Sequence, residues 1–224
     1  LILTIPLMNY DLIIVARSST ERLKQITQNC INSAIIGGNA LNVVLVETFS
    51  ATKYSGVDHY VTYNGLFGYN GALNKGLERA SGDIHILANN DLIFHEGWHQ
   101  IGEDMKNNGF DSASAWFNGS CFEQGDYIYE GFGIAIHLTG WCLFITREAH
   151  EKIGKLNEEV EFWYSDNVYA IQLREHGLRH GMFCNVRVDH IGSQTLNTMS
   201  YRLKRQYSEG QIIKFNRLCG KKRS

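Results

Sequence analysis

The chain has 224 residues, of which 44% are apolar, 12% aromatic and 20% charged, the profile of a soluble globular protein and not of a disordered or fibrous one. Its net charge of −2 conceals an asymmetry: residues 200–224 carry eight Lys/Arg against Glu209, a net +7, while residues 1–199 hold 13 bases against 22 acids, a net −9. Five cysteines with no Cys-x-x-Cys pair argue against a zinc ribbon, a thioredoxin motif or a secreted disulfide framework, and favour a reducing compartment.

The apolar start, LILTIPLMNYDLIIV, has no basic flank and is interrupted by Asn9, Tyr10 and Asp11, so it reads as strand material and not as a signal peptide. The most apolar later stretch, residues 131–145, contains His137 and Thr139 and is too short to span a bilayer. These features predict a cytoplasmic protein without a membrane helix. Residues 11–16, DLIIVA, suit a strand buried on both faces of a parallel sheet. Ser18 and Glu21 read as a capping box, followed by Leu23, Ile26, Cys30, Ile31 and Ala34 at helical spacing. Residues 42–46 form a second buried strand ending at Glu47. Strand, helix, strand in this order is a right-handed crossover, which brings both strand ends to one edge of the sheet.

Ala72, Leu73, Gly76, Leu77 and Ala80 make a small-residue helical face, stopped at Ser81, Gly82 and Asp83. The strand IHILA at 84–88 then runs into Asn89, Asn90 and Asp91. Trp98, Ile101 and Met105 mark another helix. Farther on, residues 140–146 read as a strand, 166–176 as a helix and 182–188 as a strand. In that last strand Met182, Cys184, Val186 and Val188 alternate with Phe183, Asn185, Arg187 and Asp189, which puts His190 on the apolar side by parity. With one proline, Pro6, and 22 glycines there is no proline-rich linker, internal repeat or clear domain boundary. About the first 100 residues read as a nucleotide-binding half and 101–199 as an acceptor half of one domain, with 200–224 as a basic C-terminal tail.

Ligands of open α/β sheets bind beyond the carboxyl ends of the strands, here Ala16-Arg17-Ser18, Glu47-Thr48, Asn89-Asn90-Asp91 and His190. A carboxylate and an imidazole meeting at such an edge can hold a divalent ion, with a diphosphate and waters completing its shell; Asp91 and His190 are the candidates. Taken singly, Asp91 reads first as a turn residue and His190 as a hydrogen-bonded core histidine.

The segment NGLFGYNGALNKGLERASGDIHILANNDLIFHEGW at 64–98 resembles the donor-binding core of family 2 glycosyltransferases with the GT-A fold. GWCLFITREAHEKIGKLNEE, FWYSDNVYAIQLREHG and VRVDHIG are similar, in order and spacing, to that family's acceptor-side segment, its catalytic acid motif and its terminal strand with a metal-binding histidine. The resemblance covers nearly residues 11–195. It implies a Rossmann-like α/β domain with a mixed, mostly parallel central sheet flanked by helices, and an inverting hexosyltransferase that uses Mn²⁺ or Mg²⁺ and a nucleotide-diphosphate sugar, UDP-sugar first.

By that resemblance Asp91 matches the last position of a DxD motif and ligates metal with His190, while Asn89 stands where the first Asp often lies. Glu47 takes the place of the acid that contacts the nucleobase, and Ala16 and Arg17 line the nucleotide pocket, although Arg17 also suits a surface ion pair. Asn90 completes the donor set, and Asn70 and Asn74 read as ribose contacts or as helix-packing residues. Asp166 aligns with the general base that takes the acceptor hydroxyl proton as it attacks the anomeric carbon; by itself it reads as a helix N-cap. Trp141 and Trp163 offer flat faces to an acceptor, or belong to the core.

The variant FWYSDNVYAIQLREHGLRHG is similar to phage-encoded glycosyltransferases, some of which modify hydroxymethylated DNA bases. The basic tail, with Tyr201, Tyr207 and Phe215 among its cations, fits a DNA contact in host cytoplasm. It fits equally a fold over the donor diphosphate or a membrane next to a lipid-linked glycan or cell-surface polysaccharide. A non-catalytic sugar- or nucleic-acid-binding module is the reading from another class. A nucleotidyltransferase is disfavoured, because no Gly-rich triphosphate loop follows the first strand.

Overall fold

The computed structural model describes residues 8–36, 41–49, 51–64, 68–192 and 194–221. Pro6, most of the apolar start, residues 65–67 of the Gly/Asn-rich segment and the basic 222–224 lie outside the described residues. The elements run β1 (Tyr10–Ala16), α1 (Glu21–Ile35), β2 (Leu41–Glu47), β3 (His59–Thr62), α2 (Tyr69–Leu77), β4 (Ile84–Asn89), β5 (Leu92–Phe94), α3 (Gln100–Asn108), β6 (Ser112–Trp116), β7 (Ile128–Glu130), β8 (Cys142–Thr146), α4 (Arg147–Ile153), α5 (Ser165–Glu175), β9 (His180–His190), α6 (Gln194–Asn197), α7 (Tyr201–Tyr207) and α8 (Gln211–Lys221).

Every residue of β1 is buried because both faces of the sheet are covered. Leu12 and Ile14 join a core with Cys30, Ile31 and Ala34 of α1 and Ile101 and Met105 of α3. Ile13 and Val15 face the opposite way, into Ala72, Leu73 and Leu77 of α2 and Tyr169 and Leu173 of α5. The continuous apolar run in the sequence is the signature of that two-sided burial. The small-residue face of α2 lets the helix lie close on the sheet: a Cβ at Gly76 would stand 2.5 Å from Ile13 Cγ2 and 2.8 Å from Val46 Cγ2.

The strand order is β3-β2-β1-β4-β8-β6-β9-β5, with β7 also on β9. β1, β2, β3 and β4 are parallel, so their carboxyl ends share one edge. β8 is antiparallel to both β4 and β6, and β9 is parallel to β6. Two reversals restore the direction, so the end of β9 and the start of β8 emerge at that same edge. This is the mixed α/β sheet flanked by helices that the resemblance implies.

Four local expectations change. The cap of α1 is Thr20, whose hydroxyl accepts from Leu23 N at 3.2 Å, and not Ser18; the helix starts at Glu21 and Ser18 is committed to Glu47 instead. Trp98 precedes α3 and is a core residue whose indole donates to Ala34 O at 3.0 Å. Strands β3, β5, β6 and β7 are additional; three- to five-residue strands give too few alternations for a periodicity to register. Finally, the pairing of β9 with β6 slips between Ala115 and Trp116, so Phe183 joins the same core as Val186 and Val188 and simple parity does not hold along the strand.

Candidate active site

Two adjoining cavities, of about 390 and 320 Å³, open along the carboxyl edge and share Tyr69, Asn89, Trp141, Phe162, Trp163 and His190 in their walls. One holds Asp166 and Asn167; the other holds Ala16, Arg17, Thr48, Asn90 and Asp91. The cleft thus runs from the ends of β1 and β2, past the end of β4, to the first turn of α5.

At its centre β5 folds back on the end of β9, pairing Leu92 with His190, and Ile191 N donates to Asp91 O at 2.9 Å. This places Asp91 Oδ1 3.1 Å from His190 Nε2, with the Asp91 side chain only 5% exposed. Ligand atoms at adjacent corners of an octahedral divalent ion, with bonds of about 2.1 Å, lie about 3 Å apart, so the pair has the spacing of two cis ligands. Among the described residues no third His, Cys, Asp or Glu joins them; a diphosphate and water would supply the other oxygens. The Asn89 amide lies 3.5 Å from the same nitrogen. Trp141 stacks flat on the His190 ring, centroids 4.9 Å apart at 13°, and fixes the plane in which the imidazole can ligate.

Asp166 is the second residue of α5 and not its N-cap, which is Tyr164 in the left-handed region at φ 69°. Its carboxylate accepts from Asn167 N at 2.9 Å. Burial raises its pKa above the ordinary carboxylate value, with the Asn167 N–H pulling the other way. Asp166 packs on Gly140: a Cβ there would sit 2.7 Å from Asp166 Cβ and 3.1 Å from Oδ2. A clash with an atom so near the backbone cannot be relieved by a rotamer change. Gly140→Ala is therefore expected to shift the first turn of α5 and to cut kcat by about 10- to 100-fold with the fold retained, read by steady-state rates beside circular dichroism.

The remaining donor candidates divide. Ala16 and Arg17 line the cavity, and the Arg17 guanidinium lies over Phe49 at 4.8 Å, with no ion pair among the described residues. Asn90 reaches the wall but its amide donates inward to Thr27 Oγ1 at 2.8 Å. One expectation is corrected, and two residues take the packing alternative. Glu47 accepts from Ser18 N at 3.1 Å, from Phe49 N at 2.9 Å and from the Ser18 hydroxyl, so its carboxylate ties the β1–α1 turn to the end of β2 and lines neither cavity; Thr48 does. Asn70 donates to Asn157 O at 2.7 Å. Asn74 donates to Leu156 O and accepts from Leu156 N, at 2.8 and 2.9 Å. Both amides brace α2 against residues 156–158, and neither residue lines the two cavities.

Trp141 and the half-exposed Trp163 are both wall residues. Sequence reading missed Tyr69, Phe162, Gly140, Gln194 and Met199 in these walls, while Thr48 stands at the strand end where ligands were expected. Only the aromatic cluster around Trp163 and the Gly-Trp pair before β8 carried any signal.

The basic tail is docked. Gln211, 1% exposed, accepts from Glu161 N at 2.8 Å and donates to Gln206 O at 2.9 Å. Lys214 pairs with Glu161, Phe215 stacks on Tyr164 at 4.8 Å and 10°, Trp163 N donates to Tyr207 O at 3.2 Å, and Leu218 packs with Val160 and Val168. α7 and α8 therefore clamp the 160–165 segment that leads into Asp166. Phe215 and Lys214 are engaged within the chain, while Tyr201, Arg202 and Arg217 of the tail stay exposed.

No protein-family model matches the chain, and no curated protein matches it. Among solved structures it is similar to GalNAc-T7, crystallised with UDP, GalNAc and Mn²⁺, at a TM-score of 0.68 and 12% identity. The match covers 83% of this chain and 44% of that one, so the chain spans less than half the length of that neighbour. Likeness at this identity shows the fold, which is GT-A. No helix among the described residues is long and apolar enough to cross a membrane.

Proposed function

We propose that the chain is a metal-dependent glycosyltransferase that moves a sugar from a UDP-type donor to an acceptor hydroxyl with inversion. One observation carries the reading: on a GT-A fold, a carboxylate–imidazole pair with the spacing of cis metal ligands and a partly buried carboxylate with a raised pKa occupy two ends of one cleft. Asp91 and His190 would hold Mn²⁺ or Mg²⁺, whose charge offsets that developing on the departing diphosphate. Arg17 and Thr48 stand where a nucleotide would extend toward β1 and β2. Asp166, on the acceptor side, takes the proton of the attacking hydroxyl, and Trp163 offers it a flat face. The neighbour's UDP and Mn²⁺ support the choice of nucleotide and metal.

Lys214 and Phe215 of the tail are engaged within the chain, which supports a glycan-type hydroxyl over the DNA base that the phage resemblance suggests, whereas Tyr201, Arg202 and Arg217 stay exposed. A DNA acceptor would show binding that falls steeply with salt.

A thermal-shift screen of nucleotides and nucleotide sugars with Mn²⁺ tests the core of the reading. A ligand bound only by the folded state raises its apparent stability. UDP with Mn²⁺ is expected to raise Tm by several degrees, and Asp91→Ala is expected to abolish the metal-dependent part. A shift that ignores Mn²⁺ and survives Asp91→Ala would point to a binding module without this chemistry.

A further inference from the structure

Tyr69 opens α2 and is 7% exposed. Its ring packs edge-on against Phe162, with centroids 5.9 Å apart, and belongs to the walls of both cavities. Its hydroxyl is buried and has no hydrogen-bond partner among the described residues. Burial holds the phenol far above its ordinary pKa, and the carboxylates of Asp91 and Asp166 push it the same way. The group is therefore a protonated donor on a residue of the wall shared by the cavity that holds Asp91 and the cavity that holds Asp166. An unsatisfied buried hydroxyl is costly to the free protein, and Phe would fill the same volume without that cost, so the hydroxyl calls for a partner that arrives with a ligand.

The reacting geometry says which part of the ligand that is. If the diphosphate lies at Asp91 and His190, and the acceptor hydroxyl at Asp166, the group between them is the sugar in transit. We infer that Tyr69 is a specificity-determining residue whose phenol donates a hydrogen bond to a hydroxyl of the transferred sugar. This rests on the proposed transferase reading and deepens it: the donor sugar bears a free hydroxyl at the position facing α2. Sites built to hydrogen-bond a substrate hydroxyl discriminate strongly against analogues that lack it.

The experiment compares the parent with Tyr69→Phe on UDP alone and on the UDP-sugar identified by donor screening, both with Mn²⁺, by calorimetric Kd and by donor hydrolysis or transfer rates. Tyr69→Phe is expected to melt no lower than the parent without ligand and to bind UDP within twofold of it. It is expected to lose about 10- to 100-fold in kcat/KM for the UDP-sugar. Among singly deoxygenated donors, one is expected to be handled equally by parent and variant, identifying the hydroxyl. Unchanged kcat/KM for the sugar donor overturns the inference. So does an equal loss for UDP and UDP-sugar, which would place the phenol on the diphosphate, or a lower Tm, which would mean that the hydroxyl is already bonded in the free protein. A parent chain that binds no nucleotide sugar with Mn²⁺ overturns the transferase reading itself, and this inference with it.

Discussion

Replacing Asp166 by Asn is expected to reduce transfer by about 10³-fold or more while UDP and Mn²⁺ binding stay as in the parent. The amide keeps the shape and the contact with Gly140 but cannot take a proton from the acceptor. The pH profile gives a second reading of the same residue. Because burial raises the folded-state pKa of this carboxyl, the base is lost as pH falls through a value above that of an ordinary aspartate, and the acid limb of the kcat profile should lie there. The sign for stability is the reverse. The folded state holds this proton more tightly than the unfolded chain, so stability declines as pH rises from the unfolded pKa through the folded one. Asp166→Asn, which carries no charge, should therefore melt higher than the parent at neutral pH. A variant that keeps a tenth or more of parental kcat would remove Asp166 from the role of base.

A chain ending at Met199, and the full chain with Gln211→Ala, are expected to lose at least about tenfold in kcat, the truncation more, with UDP affinity little changed. Gln211 fills the gap between α8 and the 160–165 segment and satisfies Glu161 N; truncating it removes the partner of this part-buried N–H, at roughly 1 kcal/mol. The segment it holds includes Tyr164, whose left-handed backbone is costly for a residue with a side chain and persists only where its surroundings fix it. Displacement there passes to Asp166 two residues later, where an error of about 1 Å is worth about 100-fold in rate. The exposed Arg202 and Arg217 serve as controls: their alanine variants should leave kcat unchanged. If the tail acted only as a cationic arm, those two variants would weaken acceptor binding in a salt-dependent way and Gln211→Ala would do nothing.

Much of the nucleotide side of the fold was legible because its signals are local. β1, β2 and β4 are strands buried on both faces, and such strands appear as unbroken apolar runs; α1 and α2 show helical spacing of the residues that reach the two cores. Parallel pairing then dictates that residues following those runs meet at one edge, which is how Ala16, Asn89 and Asp91 could be selected without coordinates. The short strands β3, β5 and β7 gave no such signal, yet β5 is the element whose pairing with β9 brings Asp91 to His190.

Polar residues were legible as present but not as directed. Glu47, Asn70 and Asn74 are the types expected in a nucleotide site and stand near its edge, but each finds a backbone partner first: Ser18 and Phe49 for Glu47, and residues 156 and 157 for the two amides. A buried carboxylate or amide must be satisfied by something, and a sequence does not say whether chain or ligand will do it. Tyr69 shows the reverse case, an ordinary helix-opening aromatic whose hydroxyl the fold leaves without a partner.

The sequence by itself determined the alternation of strands and helices, the two-sided burial of β1 and the edge at which candidate ligands gather, since these follow from periodicity within about ten residues. Only the tertiary structure decided which side chains face the cleft and what the basic tail does. Asn89 meets His190 across 101 positions and Glu161 meets Gln211 across 50. Contacts at that separation depend on strand order and on the docking of whole helices, and no local pattern of residues encodes either.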